Sequence, residues 1–84
     1  MVMVTKRDGR REAFVPEKIV VSALKSGATP DAARAIARDI GNSAKEGIST
    51  QEIRMQVLSN LRAKDPAWEK NWLVYDAAVK KRQG

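Results

Sequence analysis

The sequence predicts an α+β fold, mostly α, in which one N-terminal β-hairpin precedes a bundle of four helices. Asp8-Gly9 lies between short segments of alternating apolar and polar residues, which is the strongest short-range signal for a hairpin. Further along, four segments repeat apolar residues three or four positions apart, each beginning near a capping residue or a proline. A chain of 84 residues has room for one hydrophobic core, so residues 1–84 are predicted to form a single domain.

The predicted hairpin crowds positive charge around one tight turn. Both central positions of a type I′ turn need positive φ, which places the turn at Asp8-Gly9. A two-residue loop fixes the cross-strand pairs as Arg7 with Arg10, Lys6 with Arg11, Thr5 with Glu12 and Val4 with Ala13. The first two pairs carry like charges, which destabilises a hairpin and indicates an anion-binding site. Protection of an exposed sheet edge is the alternative interpretation. The same register gives one face that grades from apolar to cationic: Val2, Val4, Ala13, Val15, Lys6 and Arg11.

The first two helices have clear starts and stops. Pro16 suits the first turn of a helix, and Gly27 offers its end. Thr29 is predicted to cap a second helix that has Pro30 at its first position. The expected buried faces are Ile19, Val20, Ala23 and Leu24 in the first helix, and Ala33, Ile36, Ala37 and Ile40 in the second.

The last two helices are marked in the same way. Ser49 is predicted to cap the third helix, with Glu52 reaching back to complete a capping box. Asp65-Pro66 is predicted to start the fourth. The expected apolar stripes are Ile53, Val57, Leu58 and Leu61, and then Trp68, Trp72, Tyr75 and Val79. Aromatic residues at helical spacing are usually part of a core, so both tryptophans are interpreted as packing residues.

Composition favours a binding module over an enzyme. Sixteen Lys and Arg against ten Asp and Glu give a net charge of +6, which favours a phosphate-bearing partner: a nucleotide, a nucleic acid or a lipid. The sequence contains no Cys, no His and no glycine-rich phosphate loop, so no activated nucleophile is predicted. Asp8, Glu12 and Glu17 are interpreted as ion-pair partners rather than metal ligands. With no apolar leader or membrane span in these residues, we expect a non-catalytic, cytoplasmic protein.

Two sequence blocks carry a family resemblance. The first is Val4-Thr5-Lys6-Arg7-Asp8-Gly9 with Glu12, Phe14 and Lys18-Ile19, and it resembles the opening signature of the ATP-cone domain. The second is Ile48-Ser49-Thr50-Gln51-Glu52-Ile53 with Val57, Leu58 and Leu61, and it resembles a later block of the same family. The resemblance spans almost the whole sequence and is weakest in the last helix.

The resemblance implies a four-helix bundle covered by a small three-stranded sheet, with the third strand near Gly47-Ile48. It implies ATP or dATP as a regulatory ligand that is not hydrolysed; Mg²⁺ can accompany the nucleotide, although no ligand cluster requires it. Such domains occur at the N-terminus of ribonucleotide reductase large subunits and in a repressor of reductase genes. These 84 residues include neither the reductase barrel nor the repressor zinc ribbon, so a stand-alone cone is expected. It would act through a second copy or a nucleotide-metabolism protein.

Site residues follow from the resemblance position by position. Lys6 and Arg7 correspond to the basic pair that meets the phosphates, and Val4 lies beside the base. Glu12 matches the acidic position that helps hold the nucleoside. Lys18 matches a lysine near the sugar and phosphates.

The remaining implied positions include two departures from the family pattern. Thr50 matches a hydroxyl at the start of the third helix, and Arg54 follows on the same face. Val15 stands where the family often has Asn or Asp, which would cap the first helix and touch the nucleoside. Near the end, the usual Tyr-Arg is Tyr75-Asp76 here, and Lys80 or Lys81 is the suggested replacement for that arginine.

Two alternatives to nucleotide binding remain at this point. The charge alone also fits a small nucleic-acid-binding domain. Val15 and Asp76 fit a degenerate cone that has lost its ligand and serves as a protein interaction module. The apolar-to-cationic gradient on the hairpin favours a compact nucleotide, whose base and triphosphate have the same gradient.

Overall fold

In the computed structural model, the protein forms a small sheet and four helices over the described part of the chain. The structure describes residues 2–83, and it describes side chains for residues 2–78. The elements are β1 (Met3–Thr5), β2 (Arg11–Ala13), α1 (Pro16–Lys25), α2 (Pro30–Ser43), β3 (Ile48–Ser49), α3 (Thr50–Lys64) and α4 (Pro66–Gln83). The predicted mostly helical α+β fold is confirmed.

The sheet places β1 between its two partners. Its strand order is β2-β1-β3, with β1 antiparallel to β2 and parallel to β3. A parallel pair needs a long connection, and α1 and α2 provide it. The third strand expected near Gly47-Ile48 is therefore present as β3. Val4, in the middle of β1, is only 4% exposed, so the sheet packs against the rest of the domain.

The predicted helix starts are found with one exception. The Thr29 hydroxyl accepts a hydrogen bond from the Ala32 N–H at 3.2 Å. The Ser49 hydroxyl accepts one from the Glu52 N–H at 3.1 Å. Within the described part of the chain, the Glu52 side chain is exposed and accepts no hydrogen bond from the Ser49 N–H, so only half of the capping box forms. The Asp65 carboxylate accepts from the Ala67 N–H at 3.0 Å and starts α4.

The core lies where α1, α2, α3 and α4 meet. Its buried members are Ile19, Ala23, Ala28, Ala33, Ile36, Ala37, Ile40, Val57, Leu61 and Trp72. All four predicted positions of α2 are therefore buried, and its alanines let α1 approach closely. Trp68 packs against the same cluster, which confirms the packing role of both tryptophans. Leu24 was expected to be buried and is 40% exposed; Val79 lies outside the described side chains.

The hairpin differs from the prediction by one residue of register. The Lys6 carbonyl accepts from the Gly9 N–H at 2.9 Å, and the Lys6 N–H donates to the Arg10 carbonyl at 2.7 Å. The loop therefore has three residues, and only Gly9, with φ of +88°, is left-handed. This is a type I turn followed by a left-handed glycine rather than a type I′ turn. The Asp8 carboxylate accepts a hydrogen bond from the Arg10 N–H at 3.1 Å. This local bond favours a right-handed backbone conformation at Asp8, and a type I′ turn would need a left-handed one there.

The new register changes which side chains share a face. Val4 is paired with Glu12 and Thr5 with Arg11, and Lys6 lies opposite Arg10. All four predicted cross-strand pairs are therefore wrong. Ala13 and Arg11 lie on the opposite face from Val4, so they do not belong to the face on which the sequence analysis placed them. Lys6 instead forms an ion pair with Glu12 at 3.4 Å. The hairpin is consequently less crowded with unpaired positive charge than the sequence predicted.

Candidate functional site

A cleft of about 1230 Å³ lies between the hairpin turn, α1, the start of α3 and α4. Its lining includes five cations and two carboxylates, so positive charge is in excess. The cations are Lys6, Arg7, Arg10, Lys18 and Arg54, and the carboxylates belong to Asp8 and Asp76. A concave surface lined by one sign of charge concentrates ligands of the opposite sign, here anions.

A smaller recess of about 150 Å³ lies under the hairpin. Most of its lining is apolar: Val4, Ala13, Phe14, Val15, Ile19 and Ile53, with Glu12, Lys18 and Thr50 as the polar members. Lys18, Ile19, Thr50 and Ile53 line both the recess and the cleft, so the two spaces adjoin. An apolar space thus opens beside a cationic one.

The structure brings all eight sequence-predicted site residues to these two spaces. Lys6, Arg7 and Arg54 line the cleft; Val4, Glu12 and Val15 line the recess; Lys18 and Thr50 line both. From the recess to the cleft, the lining changes from mostly apolar to mostly polar and cationic.

Several cleft cations are already paired with carboxylates. Lys6 is paired with Glu12 as described above, and Arg54 Nη2 lies 3.2 Å from Asp76 Oδ2. Arg7 and Lys18 have no carboxylate within 4.0 Å in the part of the chain that the structure describes, and both side chains are exposed. These two are the cations that a phosphate can engage without displacing a protein carboxylate.

Asp8 is committed to the turn. Its carboxylate accepts hydrogen bonds from the Arg10 backbone N–H and from Arg10 Nε, the latter at 2.6 Å. The backbone hydrogen bond from Arg10, followed by the side-chain bond, lowers the pKa of Asp8 below its ordinary value of 3.8. Asp8 therefore stays ionised at neutral pH and neutralises Arg10.

Sequence reasoning missed the wall that α4 contributes to the cleft. Trp72 is a core residue that also lines the cleft, and the Arg54 guanidinium carbon lies 5.6 Å from its ring centroid. Its indole N–H is buried without a hydrogen-bond partner among the described residues. The available signal was the four-residue spacing of Trp72 and Asp76, which puts both on one helix face. Lys80 and Lys81, the suggested substitutes for a family arginine, lie outside the described side chains.

A family model for the ATP cone domain matches residues 2–81. The chain belongs to the ATP-cone family. ATP cones are regulatory, non-catalytic domains that bind ATP or dATP as effectors, so nucleotide binding and regulation are properties of this family. A comparison with curated proteins gave no match.

The described residues of this ATP cone have two further features, which concern membranes and metals. None of its described helices is both long and apolar enough to cross a membrane. Within residues 2–83, no group of three or more Asp and Glu side chains is arranged to hold a metal ion.

Val15 leaves the start of α1 without a side-chain cap, so replacing it with a capping residue should stabilise this ATP cone. It occupies the N-cap position of α1 without a side-chain capping bond, and it is 40% exposed, so little burial is lost on substitution. Val15→Asn should raise the free energy of unfolding by about 1 kcal/mol, which corresponds to roughly 4–8 °C in the melting temperature of a domain this size. Val21→Asn on the exposed side of α1 is the control and should give no gain. An equal effect of both changes on thermal melting would contradict the missing-cap explanation.

Proposed function

We propose that this ATP cone binds ATP or dATP with the base toward the apolar recess and the phosphates in the cationic cleft. The observation that carries the proposal is the junction of these two spaces at Lys18, Ile19, Thr50 and Ile53. A nucleotide has the same polarity along its length, apolar at the base and anionic at the phosphates. Charge-assisted hydrogen bonds from Lys and Arg to phosphate oxygens are among the stronger polar contacts in proteins.

The eight site residues have distinct proposed roles. Lys6, Arg7, Lys18 and Arg54 bind phosphates, and Val4 and Val15 contact the base or nucleoside. Glu12 and Thr50 hold the sugar by accepting and donating hydrogen bonds. Glu12 is also the ion-pair partner of Lys6, and it orients that ammonium group within the site.

We propose that binding occurs without hydrolysis and changes association with a second copy or with a protein of nucleotide metabolism in the cytoplasm. The sequence has no His or Cys to activate a nucleophile, which is in keeping with a regulatory ligand. Mg²⁺ would accompany the nucleotide on its phosphates, because the described side chains offer no cluster for a resident metal.

Thermal melting with nucleotides tests the proposal directly. At about 100 times its dissociation constant, ATP should stabilise the domain by roughly 2.7 kcal/mol. That corresponds to a rise of roughly 10–20 °C in melting temperature at about 4–8 °C per kcal/mol. ATP and dATP should both raise the melting temperature, and GTP should raise it less. The measurement is a melting curve followed by circular dichroism.

Two results would contradict the proposal. The absence of a shift with any adenine nucleotide at millimolar concentration would favour a degenerate cone. An equal shift with inorganic triphosphate would show general anion binding. Nucleic-acid binding, the other reading of the net charge of +6, predicts an affinity for duplex DNA that falls by about 0.9 log units per log unit of salt for each neutralised phosphate.

A further inference from the structure

Trp72 carries a buried hydrogen-bond donor for which the described residues offer no acceptor. The residue is 8% exposed, belongs to the core cluster and also lines the cleft. Its indole nitrogen is buried and has no hydrogen-bond partner in the part of the chain that the structure describes. Such a donor has given up its hydrogen bond to water on folding and has gained no bond in return, which is rare in native proteins.

The cleft is the space from which an acceptor can reach this N–H. Trp72 and Arg54 both line the cleft, and the Arg54 guanidinium carbon lies 5.6 Å from the centroid of the Trp72 ring. An anion that binds to Arg54 therefore comes close to the indole. The Arg54 side chain is 37% exposed, so it has room to turn as a ligand enters, and side-chain rotamer changes of this kind are common on binding.

We propose that the Trp72 indole N–H donates a hydrogen bond to a phosphate oxygen of the bound nucleotide once Arg54 has turned toward that phosphate. The inference rests on the proposed function, since it concerns the ligand of the same cleft. It adds a neutral donor on α4 to the cations that the hairpin, α1 and α3 contribute. The acceptor is ionised, which makes the hydrogen bond stronger than one between neutral groups.

The free protein and the complex should respond differently when this N–H is removed. In the free protein the N–H makes no hydrogen bond, so its removal breaks none and eliminates an unsatisfied donor. In the complex the N–H donates to the ligand, so its removal weakens binding. A hydrogen bond that only supports the fold would give the reverse result, with a less stable free protein and an unchanged affinity of the folded molecules.

Replacing Trp72 by benzothienylalanine makes this change, because a sulfur atom takes the place of the N–H while the bicyclic ring keeps its shape. The chain of 84 residues is short enough for chemical synthesis. The ATP dissociation constant, measured by isothermal titration calorimetry, should rise by about tenfold. The melting temperature without ligand should stay the same or rise. The matched control is the same replacement of Trp68, which packs against the core and does not line the cleft. It should change ATP affinity by less than about twofold.

Nuclear magnetic resonance observes the N–H directly in the unmodified protein, so this test does not depend on whether a variant folds. The sequence has two tryptophans, Trp68 and Trp72, and synthesis with an isotope-labelled tryptophan at one position assigns the two indole signals. Saturating ATP should move the Trp72 signal downfield and slow its exchange with deuterium, and it should change the Trp68 signal less. Adenosine at the same concentration should leave the Trp72 signal in place, because adenosine has no phosphate.

Each contrary result has a distinct meaning. If the wild-type protein binds no adenine nucleotide in calorimetry, the proposed function is wrong and this inference falls with it. If ATP binds but neither the Trp72 signal nor the affinity of the Trp72 variant changes, only this inference is overturned. A lower melting temperature of the free variant with unchanged ATP affinity would show that a bound water molecule satisfies the N–H in the free protein. An equal response to adenosine would overturn phosphate as the acceptor.

Discussion

Replacing both Arg7 and Lys18 by glutamine should weaken ATP binding by about 100-fold, the largest effect on binding that we expect from two substitutions. These are the two cleft cations without a carboxylate within 4.0 Å among the described side chains, so their hydrogen-bonding capacity is available to phosphates. A hydrogen bond to a charged group contributes about 1.5–3 kcal/mol. Two such bonds at the lower limit account for the expected loss.

The same double variant should remain fully folded. Both side chains are exposed, and neither belongs to the core cluster. Lys18 lies in the first turn of α1, where a positive charge is opposed by the helix dipole, so its removal does not weaken the helix. We expect the melting temperature without ligand to change by less than about 3 °C.

Titration calorimetry with ATP is the measurement, and Arg34→Gln with Lys70→Gln is the matched control. The control removes the same two charges from exposed positions of α2 and α4 that do not line the cleft. It should change ATP affinity by less than about threefold, through long-range charge alone. Comparable losses in the two double variants would mean that net charge, and not the cleft, determines binding.

The helical part of the fold was largely available from the sequence because it depends on local signals. Thr29 caps α2 as predicted, and the apolar spacing of that helix corresponds to four buried residues. Caps and helical periodicity are read over a few neighbouring residues, and tertiary contacts here reinforce them. Leu24 was the exception, since the width of a buried face depends on which neighbours cover it.

The register of the hairpin could not be predicted from local sequence signals. Asp-Gly is compatible with a two-residue loop and with a three-residue loop, and the choice depends on the conformation of a single residue, Asp8. Its bonds to Arg10 favour the longer loop, and the shift by one residue moves Ala13 and Arg11 to the other face. The pattern of apolar and polar residues does not report the backbone conformation of one turn residue, so it could not distinguish the two loops.

The candidate site residues were predicted from the family resemblance, and the structure shows which other residues line the cleft with them. Proximity of Lys6 and Arg54 depends on how α3 packs beneath the sheet, which no local pattern encodes. Resemblance could point to Arg54 but not to its pairing with Asp76, because an ion pair between two helices depends on their relative placement. For the same reason Trp72 was assigned to the core and not to the cleft wall.

Replacing Ile36 by alanine should have the largest effect on stability, a loss of about 3 kcal/mol in the free energy of unfolding. Ile36 is 0% exposed, and it lies in the middle of α2 within the core cluster. Truncation removes buried methyl and methylene groups and leaves a cavity that the neighbouring helices fill only in part. The total free energy of unfolding of a domain is only about 5–15 kcal/mol, so this substitution would remove a large share of it.

Urea denaturation of Ile36→Ala should show a lower midpoint with an unchanged slope, together with a fall of roughly 12–24 °C in melting temperature. Ile36→Val is the matched control, because it removes one methylene group and should cost only about 1 kcal/mol. Ile36 does not line the cleft, so folded Ile36→Ala should bind ATP with wild-type affinity, and saturating ATP should raise its melting temperature by a similar amount. A large loss of ATP affinity at a temperature where the variant is folded would show that core packing and the cleft are coupled. It would contradict the prediction that Ile36 contributes to folding and not to ATP binding.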